Sequence, residues 1–197
     1  MARDVADPST SARPPLQEPT VGRDELLVEG SDREFRRLVH GLFAFFARHE
    51  AIRDGHARRI GLAGVEYTVL IAIARLSLDG EVSVKRVGEH LHVSGAFITT
   101  VSGKLARKGL ISKRPSETDR RRVRLEVTRA GYELLNELAP YQRRVNDVEF
   151  GSVTRAEFRQ LVGLVERLIV SGDEAIALQR YLARERSVPR GRRAGRS

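Results

Sequence analysis

The chain contains no cysteine, and its one methionine is Met1. No disulfide, thiolate metal ligand or thiol-based redox switch can therefore operate in it. Long apolar runs are missing too. The longest uncharged ones, Gly41 to Ala47 and Tyr67 to Ala74, fall far short of the roughly 20 residues that a bilayer span needs. Arg3, Asp4 and Asp7 stand where the apolar core of a signal peptide would lie, so a cytoplasmic protein with no membrane partner is expected. Zinc-ligand spacings, a phosphate-binding glycine loop and a serine elbow are also lacking, which argues against an enzyme and against a bound cofactor. Among the five histidines, His40, His49 and His56 do not share one helical face, and His90 and His92 diverge. No metal site is expected.

Positive charge is what the chain has in excess. Its 197 residues carry a net charge of +9, enough length for one well-buried domain with tails or for two small ones. Between Lys104 and Arg124 nine basic residues face only Glu117 and Asp119, so most of the imbalance sits in one short segment. Such a segment beside a short helix is the electrostatic footprint of a protein that displaces counterions from phosphates. Arginine outnumbers lysine 31 to 4, and guanidinium suits bidentate contact with phosphate or guanine.

Residues 1–28, with four prolines and no apolar period, read as a disordered tail. A capping box, Ser31-Asp32-Arg33-Glu34, then opens a first long helix with Phe35, Leu38, Val39, Leu42, Phe43 and Phe46 at helical spacing, placed over 31–56. A second helix carries Val65, Val69, Leu70, Ile73 and Leu76 and stops near Asp79-Gly80. Ser83 and Ser94 are placed to cap two short helices that form a helix-turn-helix over about 83–108. Two strands follow as a wing over about 110–127, with alternating Val123, Leu125 and Val127. Thr128 caps a fifth helix that Pro140 is expected to kink, and a second capping box, Thr154 with Glu157, opens a sixth. The long helices over 129–170 complete a domain expected to span 31–172. Ser171-Gly172-Asp173 is expected to interrupt the last helix and set off a helical extension over 173–186, followed by a basic flexible tail over 187–197. The fold class is mainly α with a small β-wing.

Several of these stretches resemble the MarR family of bacterial transcription regulators. Gly61 to Leu70 resembles the family's entry into its second helix, and Val87 to Ser94 its helix-turn-helix turn. Leu105 to Ile111 is similar to its exit from the recognition helix. Asp119-Arg120-Arg121, with Val127 to Gly131, is similar to its wing signature. The match covers roughly residues 31 to 170. It departs at Ala63, where the family usually has Ser or Thr, and at His92, where it usually has Gly.

The resemblance implies a homodimer that binds a pseudo-palindromic operator in double-stranded DNA, through a winged helix-turn-helix lobe carried on long N- and C-terminal dimerisation helices. It also implies a repressor released by a small anionic ligand, such as an aromatic acid or an aryl-coenzyme A thioester. An effector-independent or architectural regulator of the same fold is the alternative. Helical geometry offers Gly95, Ala96, Thr99, Thr100 and Lys104 to the major groove, behind the capping residue Ser94. Arg114, Arg120 and Arg122 join them as wing contacts, while the resemblance assigns Arg121 to the minor groove and Asp119 to orienting the wing. For the ligand, the candidates are Arg36, His40, Phe43, Arg48 and Tyr67.

Overall fold

The computed structural model describes residues 18–115 and 123–187. The expected tails before residue 18 and after residue 187 lie outside these residues, as does the wing tip with Asp119, Arg120, Arg121 and Arg122. In chain order the elements are α1 (Arg33–Arg59), α2 (Gly64–Leu76), α3 (Val84–Leu91), α4 (Gly95–Arg107), β1 (Ile111–Pro115), β2 (Val123–Val127), α5 (Arg129–Glu149) and α6 (Arg155–Ser187). Short 3-10 turns occur at Asp24–Leu26 and Ser77–Asp79. Among the described residues no single helix is long and apolar enough to cross a membrane. The chain forms two units, one through Leu138 and one from Ala139.

The core of the first unit is built around α2, which contacts α1, α3, α4 and β2. Leu70 and Ile73 of α2, Val87 of α3, Ile98 and Leu105 of α4 and Leu125 of β2 are fully buried. Each such side chain contributes about 1.5–3 kcal/mol relative to exposure, so this cluster fixes the angle at which α4 leaves the surface. The two serine caps fall where the spacing predicts. Ser83 Oγ accepts from Arg86 N at 3.2 Å, and Ser94 Oγ accepts from Phe97 N at 3.2 Å. Between them His92 occupies the left-handed region with φ 52°, the position where glycine would be strain-free.

Strands β1 and β2 pair antiparallel, Ile111 opposite Val127 and Arg114 opposite Arg124. Leu125 N donates to Val82 O at 2.8 Å, and Ser83 bridges to Arg124. The wing root is thereby tied to the start of α3. Thr128 ties it to α5: its hydroxyl accepts from Gly131 N at 3.1 Å and donates to Gly109 O at 2.6 Å.

Three boundaries in the N-terminal part differ from the sequence reading. The residue before α1 is Asp32 rather than Ser31, and it makes no side-chain cap bond; its Oδ2 instead accepts from Thr20 N at 2.7 Å, Thr20 Oγ1 at 2.9 Å and Arg36 Nε at 2.8 Å. The Arg36 hydrogen bond and the Thr20 N–H hold that carboxyl at about 2. Residues 18–32 therefore carry local structure, including a Val28–Ser31 bridge, where composition predicts none up to residue 28. At its other end α1 continues to Arg59, and Gly61 at φ 70° follows it, the left-handed residue that closes helices.

In the second unit, α6 starts at the expected capping box. Thr154 N donates to Glu157 Oε2 at 2.8 Å and Glu157 N donates to Thr154 Oγ1 at 3.3 Å, and the Thr154 bonds draw the Glu157 carboxyl below its usual range. The helix runs without a break through Ser171-Gly172-Asp173 to Ser187, so the expected separate extension is part of one 33-residue helix. A lone glycine costs a helix interior about 1 kcal/mol, too little to stop one with long helical flanks. Among the described residues none beyond Leu138 is buried.

Candidate nucleic-acid interface

Helix α4 separates its residues cleanly. Ile98, Val101, Ser102 and Leu105 are buried, while Ser94, Gly95, Ala96, Thr99, Thr100 and Lys104 are exposed. The first turn carries no side chain larger than a methyl at Gly95 and Ala96, which lets the helix N-terminus come close to a flat surface. Thr99 Oγ1 donates to Gly95 O at 2.9 Å and Thr100 Oγ1 donates to Ala96 O at 3.0 Å. With their protons committed to the helix backbone, both hydroxyls present lone pairs and methyl groups outward. They can accept from an adenine or cytosine amino group or touch a thymine methyl. Phe97, 39% exposed, shares this open face rather than packing into the core.

The basic residues around α4 are not equally free. Lys108 Nζ lies 2.7 Å from Glu66 Oε2. On β2, Arg124 NH2 lies 2.5 Å from Glu126 Oε1, and Arg114 Nε approaches Glu126 Oε2 at 3.9 Å. Part of the local charge excess is thus compensated within the fold. Lys104, Arg107 and the well-exposed Arg114 remain on the surface. Lys113 joins them, its Nζ 3.4 Å from Thr99 O. That places a cation between wing and recognition helix, a contact that the sequence counts as charge but cannot locate.

Glu66 links the base of α2 to the end of α4. Its carboxylate accepts from Ala63 N at 3.0 Å as well as from Lys108, forming half a capping box, since Ala63 has no oxygen to reciprocate. Burial pushes the Glu66 carboxyl up, but the Lys108 and Ala63 hydrogen bonds and the Lys108 charge outweigh it, and the pKa is lowered. The stabilisation is therefore complete above the ordinary carboxylate pKa and is lost as pH falls through the lowered value. Glu66→Gln is expected to cost about 1–3 kcal/mol at pH 7 and less at pH 3, below the ordinary carboxylate pKa. Urea unfolding at the two pH values checks this, and an equal cost at both would remove the assigned role.

The five ligand candidates do not meet within one chain. Arg36 is engaged at the start of α1, donating to Asp32 and, through NH2, to Glu18 O at 3.0 Å. Tyr67, 6% exposed, packs its ring edge on His56 at 6.2 Å, about 30 Å along α1 from Arg36 at 1.5 Å per residue. Arg48 NH1 donates to Ala44 O at 2.7 Å. His40 and Phe43 are in ring contact, with centroids 6.5 Å apart. A cavity of about 780 Å³ opens elsewhere, at the wing root, lined by Ser77, Arg114, Arg124, Glu126, Arg129 and Tyr132 among others. No sequence period signals it, because it joins a turn, two strands and a helix start.

A buried helix pair joined by a tight turn, its second member open outward and followed by a two-stranded wing, defines a winged helix-turn-helix protein. Residues 60–122 match the model of the MarR family. It is 26% identical to the transcriptional repressor NicR of Pseudomonas putida, over 71% of this chain and 86% of NicR. It is also 25% identical to the transcriptional regulator MhqR of Bacillus subtilis, over 64% of this chain and 88% of MhqR. Among solved structures, a mutant MarR of E. coli complexed with operator DNA superposes with a TM-score of 0.57 at 15% identity, covering 68% of this chain and 95% of that one. BpsR of Bordetella bronchiseptica, whose DNA binding is regulated by 6-hydroxynicotinic acid, gives 0.54 at 23% identity, covering 66% and 90%. These relatives are named as transcriptional regulators, not enzymes.

Proposed function

We propose that the chain acts in the bacterial cytoplasm as a homodimeric repressor. It reads a pseudo-palindromic operator with two copies of α4, and a small anionic ligand releases it. The observation that carries the reading is the outward face of α4, small and hydroxyl-bearing, beside exposed cations of the recognition helix and wing root. Ser94, Gly95, Ala96, Thr99, Thr100 and Lys104 contact the major groove, and Arg114, Arg120, Arg121 and Arg122 serve the wing, which Asp119 orients. Dimerisation is supported by the apolar surface that one chain leaves open on its long helices. On α1, Leu38, Phe43 and Phe46 are 56–67% exposed. On α6, Phe158, Leu168 and Ile169 are 50–58% exposed. Patches of this kind belong to interfaces.

For the effector, an aromatic acid is favoured by what BpsR responds to, and among the ligand candidates His40 with Phe43 offers a ring and a polar group together. The test uses duplexes selected from random sequence by the protein itself. Operator release is then measured against aromatic acids, 6-hydroxynicotinic acid among them, and their coenzyme A thioesters. Release by one such acid, with a ligand-induced rise in melting temperature, is the expected result. Sequence-selective binding that no compound alters points to the effector-independent regulator, and binding without any sequence preference contradicts the repressor reading.

A further inference from the structure

Helix α6 carries a pattern that specifies more than a general wish for apolar cover. Leu161, Leu164, Leu168, Ser171, Ala175 and Leu178 recur at alternating spacings of three and four, and Leu182 continues the series. That is the seam of a coiled coil running through the helix, past the point near residue 170 where the family resemblance ends. Leu161, Leu164, Leu168, Leu178 and Leu182 are 41–58% exposed, so among the described residues of the second unit the seam lies open.

We infer that this seam pairs with the same seam of a second copy, antiparallel and centred between Leu168 and Ser171. The inference rests on the dimer proposed above and adds its register. Two independent features select this arrangement. The first is size. Antiparallel pairing sets Leu168 against the second copy's Ser171, Leu164 against its Ala175 and Leu161 against its Leu178, so every small residue meets a leucine. Parallel pairing stacks serine on serine and alanine on alanine in consecutive layers, leaving adjacent voids.

The second feature is charge. Arg167 and Glu174 flank the seam, and neither has an oppositely charged residue three or four positions away on its own helix. In the antiparallel register Arg167 of each copy lies beside Glu174 of the other, giving two symmetric ion pairs. In the parallel register the flanking partners are Gly172 and Gln179, and no pair forms. Size and charge choose the same register, and a two-fold axis generates it, as a closed dimer requires.

The absence of native cysteine makes a clean measurement possible. Arg159→Cys, Glu166→Cys and Arg180→Cys, each on the helix face opposite the seam, are spin-labelled one at a time in the full-length chain. Distances between the two labels of the dimer are read by dipolar electron resonance, with sedimentation recorded on the same samples. At about 1.5 Å per residue, antiparallel pairing offsets the two labels along the axis by about 10 Å at residue 166 and by about 31 Å at both 159 and 180. The expected result is thus the shortest distance at 166 and longer, similar distances at the two flanks. Equal distances at all three positions mean parallel pairing. A sedimenting dimer whose distances follow neither pattern means that α6 does not self-pair. Either result overturns the register and leaves the dimer standing, whereas a monomer overturns both.

Charge reversal supplies a second arm. Arg167→Glu is expected to weaken the dimer at least fivefold, and adding Glu174→Arg to it is expected to restore the wild-type dissociation constant. Additive losses in the double variant would exclude the cross-copy pair.

Discussion

Arg121→Ala is expected to weaken binding to the operator and to unrelated duplex alike, and to flatten the dependence of affinity on salt. A guanidinium in the minor groove contributes charge and groove-shape recognition with little unique base readout. In the proposed dimer, with its two wings, two cationic contacts are lost, and the slope of log affinity against log salt should fall by roughly 1.8. Thr99→Ala or Thr100→Ala should behave in the opposite way. Each removes an outward acceptor and a methyl group without changing charge. The cost is about 1 kcal/mol per half-site, or roughly thirtyfold in operator affinity for the dimer, with little change on scrambled duplex and an unaltered slope. Titrations against both duplexes at two salt concentrations separate these outcomes. If the wing variant loses operator binding alone while the threonine variants lose both equally, the roles of wing and helix are reversed.

Gly131→Ala is expected to be the most damaging small substitution in the lobe. A Cβ at residue 131 would stand 2.3 Å from Leu110 O and 2.7 Å from Val127 Cγ1. The first of these is backbone, and Leu110 O already accepts from Thr128 N at 3.0 Å. The junction of α4, β1 and α5 cannot yield without losing that bond. The expected loss is about 3 kcal/mol or more, a melting temperature lower by roughly 10 °C. DNA affinity should fall with it, because the wing root shifts against α4. Gly163→Ala serves as the control: on α6, with nothing within 4 Å of an added Cβ, it should raise helix stability by about 1 kcal/mol. Thermal melts of the two variants decide the matter, and a Gly131→Ala protein that melts like the parent would contradict the close approach.

What local chemistry governs was legible in the residues. Ser83, Ser94 and Thr154 cap the helices they precede because a hydroxyl before an apolar period satisfies orphan N–H groups wherever the rest of the chain goes. The alternation at Val123, Leu125 and Val127 located the strand that places Leu125 in the core. Contacts distant in sequence were not legible. Ser31 resembles a cap, but the helix starts after Asp32, whose carboxylate gathers Thr20 and Arg36 from outside the local capping pattern. Ser171-Gly172-Asp173 resembles a stop, but helix on both sides carries the backbone through it. The ligand candidates were grouped by chemistry from two different helices, Arg36, His40, Phe43 and Arg48 on α1 and Tyr67 on α2. Side-chain chemistry does not report position, so residues as far apart as Arg36 and Tyr67 were grouped. The compensation of Arg124 by Glu126 and of Lys108 by Glu66 was hidden for the same reason, since a charge count has no geometry.

Hydroxyl-radical footprinting on a duplex that the protein selects from random sequence tests most directly that this chain reads DNA as a symmetric pair of winged helix-turn-helix lobes. Two protected patches are predicted on one face of the duplex, centred about 34 Å apart, over half-sites related by two-fold symmetry. A single protected patch over an asymmetric site, or uniform protection with no selected sequence, would contradict it.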